Sequence, residues 1–489
     1  MHTPHSSPKS NLIKGAFWAL ATRWSIRIAG FINTIIMARL LMPSDYGLVA
    51  MATLVVGLAQ ALLDSSATTA LMRKEKITKS EINSTWTLRL IQCLAMAAVV
   101  ALAAPISSVY FQDQRVESIL YVLSICVLIS AFSNIGLAIA YKEFNYSLDF
   151  KHQLYTKIIG IVVTIAFGFW LRDYRALVAG IASGYISGTL LSYSMHNYRP
   201  KLCLKEIPEV WSLTKWILAT NIANFTMRKG DELIASRIGT SSEYGQYYVG
   251  ADLGQLPTGE IGPAILKSLL PVLSSIEDTT DKINIAVIKT IRTVAALTLP
   301  IGFGFSAIAP QATTLLLGNN WETASAYVAA FSVLGAIQVL GKPINTLLTL
   351  RGHTKIISNS AWIEFAAFLG AGLVLVQHHN LIGLVYAKIF ASITNLCITV
   401  FWGNRKCSLD AITVGTSFIR PLSGAIGMYI AVSLTLNHLS SSAGVEVATG
   451  IAVGFFTYST WSLASWRLAG KPEGLESTII DLLKKSTNK

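Results

Sequence analysis

An all-α integral membrane protein of about fourteen transmembrane helices, two pseudo-symmetric six-helix lobes and a C-terminal pair, is the fold this sequence predicts. Three observations carry that expectation: scarce charge, a regular series of apolar runs, and an internal repeat. Of 489 residues only 13% are charged while 52% are hydrophobic, and the mean hydropathy is +0.52. So few charges cannot clothe a soluble surface. The 39 Lys+Arg outnumber the 26 Asp+Glu, but most bases fall in short segments between apolar runs. There they fix topology rather than bind a polymer, so no nucleic-acid partner is expected.

A bilayer core takes about 20 apolar residues per helix, because only a helix or a closed barrel satisfies its backbone there. Runs of that length recur at 17–41, 48–70, 86–109, 118–141, 155–171, 175–196, 214–238, 246–270, 287–309, 324–346, 357–376, 381–402, 412–436 and 446–466. The first contains Arg23 and Arg27 and lacks a small-residue cleavage site, so it reads as an uncleaved helix rather than a signal peptide. In the eighth, Pro257 and Pro263 with Gly254, Gly259 and Gly262 predict a bent or broken helix.

Loop bases alternate between the two sides. Arg73, Lys74, Lys76 and Lys79 share one side with Lys142, Lys151 and Lys157, with Arg199, Lys201 and Lys205, and with Arg351, Lys355, Arg405 and Lys406. The opposite side offers little beyond Arg115, Arg172 and Arg175. Both termini are therefore expected in the cytoplasm. The longest far-side loop, near Gln311–Glu322, leaves no room for a folded domain. Five scattered cysteines without ligand spacing predict no disulfide framework and no metal site. No nucleotide-binding loop or nucleophile triad stands out, so no cofactor and no enzymatic activity are expected.

The repeat joins the ends of the first and seventh runs. Arg39, Ser44, Asp45, Tyr46 and Gly47 match Arg237, Ser242, Glu243, Tyr244 and Gly245 at a constant offset of 198 residues, and Trp18 matches Trp216. An even number of helices per half makes the halves parallel, an arrangement in which transporters hold a central site between two lobes. The expected divisions are a lobe at 1–205, a lobe at 206–405, and a helix pair with a cytoplasmic tail at 406–489.

Several of these residues carry a resemblance. The Arg39–Gly47 ending, the pattern from Asp231 to Tyr247, the Leu256-Pro257 pair and Leu269-Leu270-Pro271 resemble the polysaccharide transporter family. That family belongs to the multidrug/oligosaccharidyl-lipid/polysaccharide flippase superfamily. The resemblance implies a bacterial inner-membrane flippase that moves an undecaprenyl-diphosphate-linked oligosaccharide from the cytoplasmic to the periplasmic leaflet. It also implies membrane lipid, a polysaccharide polymerase and export machinery as partners.

Ionisable residues inside apolar runs supply an independent clue, since each costs about 2.5–3.5 kcal/mol at the centre of a lipid-facing helix. Arg23 and Arg27 share one face of the first helix with Gly30 and Thr34. Two guanidiniums on one stripe suit a diphosphate, which they grip with paired hydrogen bonds. In the seventh run Asn221, Asn224, Arg228 and Asp231 form a second stripe flanked by Lys229 and Glu232. That stripe is either a neutralising network or a wall that contacts phosphate and sugar. The eighth run adds Asp252, Glu260 and Lys267, and the later runs add Glu364, Lys388 and Arg420, for which mutual pairing is an equal reading. The candidate diphosphate ligands are thus Arg23, Arg27, Arg228 and Lys267. Asp231, Glu232, Asp252 and Glu260 are candidates for ion coupling or for pairing with bases. A cation-coupled drug exporter would favour a lumen of acids and aromatics, and a polymerase or ligase would need a sizeable catalytic loop. Arg23 and Arg27 argue against the exporter, and the short loops disfavour the enzyme; both stay as alternatives to the flippase.

Overall fold

The computed structural model describes residues 8–63, 78–205, 207–259, 261–262, 280–439, 441–468 and 470, and among these every regular element is helical. Two compact units form, Met1–Gly245 and Gln246–Lys489. The first contains α1 (Pro8–Leu40), α2 (Pro43–Leu63), α3 (Lys79–Phe111), α4 (Arg115–Ala131), α5 (Gly136–Lys142), α6 (Tyr146–Leu171), α7 (Arg175–Met195) and α8 (Ile207–Ile238). It closes with the first residues of α9 (Ser241–Gly259). The units divide after Gly245 rather than at 205/206 because α8 packs on α2 and α3. Phe225 of α8 lies over Gly57, and the Tyr110 hydroxyl donates to the Leu233 carbonyl at 3.0 Å.

The second unit continues with α10 (Thr280–Ala307), α11 (Ala309–Leu317), α12 (Ala324–Leu340), α13 (Lys342–Leu350), α14 (Thr354–Cys407), α15 (Ala411–His438) and α16 (Ala443–Leu468). α14 is a hairpin. Asn380 leaves the helical region at φ 52°, and the chain doubles back so that Ser392 and Asn395 donate to the Glu364 carboxylate at 3.1 and 2.7 Å. Those bonds satisfy Glu364 inside one hairpin. α15 and α16 pack on α10, where the Tyr458 hydroxyl donates to the Ala296 carbonyl at 2.9 Å. The helices of the expected terminal pair are therefore integral to the second unit.

Among the described residues eight helices are long and apolar enough to cross a membrane, or nine when the bent α4–α5 pair counts as one span. The α14 hairpin holds two expected runs, and α1, α8, α9 and α16 coincide with others, so about fourteen spans are compatible with this architecture. Leu102, Ile106, Val109, Trp170, Leu373 and Phe455 stand exposed on helix faces. An outer surface of that kind is stable only against lipid.

Two local differences from the sequence reading have physical causes. The run expected at 118–141 breaks between α4 and α5, which meet at 60°. Buried Asn134 holds the break: its Nδ2 donates to the carbonyls of His196 (3.1 Å) and Tyr198 (2.7 Å), and its Oδ1 accepts from the Gly136 amide (2.8 Å). Hydropathy averages over such a residue. The loop expected near Gln311–Glu322 is mostly helical, formed by α11 and a 3₁₀ turn, Asn319–Trp321, that seats Trp321 in full burial.

Candidate functional site

The sequence repeat marks two helix-to-helix elbows. α1 stops at Leu40, and α2 starts at Pro43, whose fixed φ suits a first helical turn. Tyr46 and Gly47 consequently lie within the first five residues of α2 and do not cap α1. Tyr244 and Gly245 lie likewise within the first five residues of α9.

The two elbows cross. A β-carbon on Gly47 would strike the Ser241 carbonyl, and one on Gly245 would strike the Pro43 carbonyl. The pairs Pro43/Ser241 and Gly47/Gly245 both stand at the 198-residue offset, so the crossing is reciprocal. Only glycine lets two backbones approach this closely.

Side chains secure the crossing. Asp45 accepts from the amides of Met42 (3.0 Å) and Tyr174 (3.2 Å), and the Tyr46 hydroxyl donates to the Thr34 carbonyl at 3.1 Å. From the α3–α4 loop, Asp113 accepts from the Ser241 hydroxyl and from Arg115, each at 2.8 Å. Burial pushes the Asp113 pKa up, but the donors on Arg115 and Ser241 outweigh it and hold the carboxyl below its ordinary range. Arg237 stacks over the Tyr110 ring with its Cζ 5.8 Å from the centroid.

The other feature of this unit is the cationic stripe of α1. α1 and α6 run parallel: the rings of Trp18 and Phe150 lie 5.1 Å apart, and Met37 fills the space over Gly168. Arg23 is exposed and Arg27 half-buried. Among the described residues Arg27 makes no ion pair. Lys157, grouped with loop bases on sequence, belongs to this site instead. It lies inside α6 within a candidate membrane span, and a β-carbon on Gly30 would stand 3.7 Å from both its Cε and Nζ. The run at 155–171 underestimated the helix, which begins at Tyr146 with Asp149 in its first turn. An acidic first turn is a start signal that hydropathy alone ignores.

The stripe on α8 is more neutral. Lys229 and Glu232 form an ion pair at 2.5 Å, while Asp231 is buried and Arg228 exposed. Asn33 and Asp231 occupy equivalent places in the repeat. Asp252 is exposed on α9. Glu260 and Lys267 lie outside the described residues, as do most of the tail and the loop carrying Arg73, Lys74 and Lys76. Arg23 and Arg27 thus share a face of α1 with Gly30, beside which the Lys157 ammonium of α6 lies, whereas Arg228 stands on a separate helix. Among the described residues no group of His, Cys, Asp and Glu is placed to hold a metal ion.

Known proteins share this architecture. The chain is similar to the lipopolysaccharide biosynthesis protein WzxC of Escherichia coli, 20% identical over 81% of each chain. It is similar also to the succinoglycan biosynthesis transport protein ExoT of Rhizobium meliloti, 21% identical over 95% of each. Among solved structures it shares the fold of the lipid II flippase MurJ in an inward closed conformation, with a TM-score of 0.73 at 15% identity over 92% of this chain and 99% of that one. An inward-facing multidrug transporter of the MATE family shares it at a TM-score of 0.60 and 14% identity, over 78% and 94% of the two chains. The family model for polysaccharide biosynthesis proteins matches residues 36–326, both elbows included, and this multi-pass membrane protein belongs to that family.

Proposed function

We propose that this protein is a flippase that carries a polyprenyl-diphosphate-linked oligosaccharide from the cytoplasmic to the periplasmic leaflet of a bacterial inner membrane, by alternating access and without covalent chemistry. Family membership and the relatives' roles in polysaccharide assembly support a substrate on that pathway. The single observation that carries the reading is the cationic stripe of α1, where Arg27 makes no ion pair among the described residues. A diphosphate crossing about 30 Å of hydrocarbon needs a replacement for its lost hydration. Guanidiniums supply charge-assisted, bidentate bonds at that point, while the polyprenyl tail stays in lipid. A drug exporter for cations would be opposed by this stripe. Polymerase and export proteins are the partners proposed to take the flipped unit, and the side bias of the loop bases supports cytoplasmic termini as part of this proposal.

Energy coupling is proposed at Asp231, which is buried, with Asp252 and Glu260 as further candidates; Glu232 is committed to Lys229. Arg228 and Lys267 are secondary ligands of the headgroup.

In a deletion strain, lipid-linked repeat units should accumulate unflipped and polysaccharide should vanish from the surface. Complementation with Arg27→Ala should restore little export, and Arg27→Lys should restore part of it, because lysine keeps the charge but loses the fork. Full export by a well-expressed Arg27→Ala variant would remove α1 as the headgroup site and leave Arg228 and Lys267 in its place.

A further inference from the structure

We infer that Lys157 is a ligand of the anionic headgroup, and that with Arg27 it makes a site for a diphosphate in preference to a monophosphate; this rests on the flippase reading above. Three observations lead there. Lys157 lies well inside α6, a candidate span of mean hydropathy 1.8, and a lysine in a membrane helix would normally extend toward the closer interface. Lys157 does the opposite. The parallel register set by Trp18–Phe150 and Met37–Gly168 puts its backbone near Ile26 of α1, yet its ammonium lies beside Gly30, further from the Tyr146 end. The side chain extends toward the middle of the span.

Second, Gly30 and Arg27 are three residues apart on one helix face. With no side chain at Gly30, the ammonium can lie against the α1 backbone beside the arginine stripe. Third, among the described residues neither Lys157 nor Arg27 makes an ion pair. The nearby acid on the lysine's own helix, Asp149, accepts from Gln153 at 2.8 Å. Two cations without a carboxylate at mid-span are expensive for a helix bundle to hold, and a bound polyanion offsets that cost. A single phosphate satisfies one fork. A diphosphate has a second group of oxygens for the ammonium, whose three donors act without directional preference.

The test uses the full-length protein in detergent and three probes: polyprenyl diphosphate, polyprenyl monophosphate and free polyprenol, with binding followed by native mass spectrometry. The wild type should prefer the diphosphate. Lys157→Met, close to lysine in length and cheaper to insert in a membrane helix, should weaken diphosphate binding roughly tenfold and leave polyprenol unchanged. Lys157→Arg should retain most of the affinity. A lysine with only a structural role would, when replaced, weaken all three probes alike, and that outcome overturns the assignment. Undiminished diphosphate selectivity in Lys157→Met overturns it too while leaving the flippase reading intact. A wild type that does not discriminate diphosphate from polyprenol overturns both.

Discussion

The two elbows of this chain start from the same sequence pattern and are held in different ways. At the α1–α2 elbow Asp45 is buried, and its carboxylate reaches back to Met42 and across to Tyr174 at the start of α7. At the α8–α9 elbow the equivalent Glu243 is exposed and caps its own helix. It accepts from the amide (2.8 Å) and hydroxyl (3.0 Å) of Thr240, whose hydroxyl accepts in turn from the Glu243 amide. One additional methylene and a threonine in place of Met42 make a capping box possible at the second elbow and not at the first. The first elbow is therefore tied into its unit by tertiary bonds. The second holds its turn locally, with the Ser241–Asp113 hydrogen bond and the Arg237–Tyr110 stack among its tertiary ties. Repeats preserve geometry without preserving the interactions that enforce it.

The largest expected effect breaks what the elbows share. Gly47→Leu or Gly245→Leu drives a side chain into a backbone carbonyl that cannot turn aside. Overpacking of this kind costs about 1–3 kcal/mol or more, and export should be lost. Gly184→Leu, where a β-carbon meets nothing within 4 Å, is the control that should export normally at normal abundance. Equal tolerance at Gly47 and Gly184 would show that the crossing is unimportant.

A smaller effect should separate the elbows. Asp45→Ala strands two partly buried backbone amides, at up to about 1–3 kcal/mol each. Glu243→Ala removes an exposed cap worth about 1 kcal/mol. Thermal unfolding in detergent should rank Asp45→Ala clearly below Glu243→Ala, and the reverse order would show that the first elbow is not the one held by tertiary bonds.

The smallest effect concerns acid. The folded Asp113 carboxyl titrates below its ordinary value. Its contribution is complete above the unfolded value, near 3.9, and is lost as the pH falls through the lower folded one. The wild type and Asp113→Asn should accordingly differ in thermal stability at neutral pH by a small margin that closes in strong acid. A difference that widened there would reverse the sign of the link.

Much of this could be read without coordinates. Apolar runs announce helices because a backbone in lipid has few alternatives, and the Tyr-Gly repeat announces equivalent joints because like sequences fold alike locally. Arg23 and Arg27 fall on one stripe from helical spacing alone. Lys157 was missed for the opposite reason: its helix begins before its apolar run, and its neighbour Gly30 is more than a hundred residues away in the chain. The broken α4–α5 span depends on Asn134 finding the carbonyls of His196 and Tyr198, a match that no local pattern contains.

What the sequence by itself determined is the membrane class, the series of helices, the repeat and the arginine stripe, all of them consequences of composition and short-range period. The tertiary structure alone decided that Gly47 and Gly245 meet, that Asp45 and Glu243 serve different ends, and that a lysine of α6 stands beside the arginines of α1. Contacts between residues far apart in the chain depend on how whole helices dock, and docking is set by the summed shape of many side chains rather than by the identity of any one.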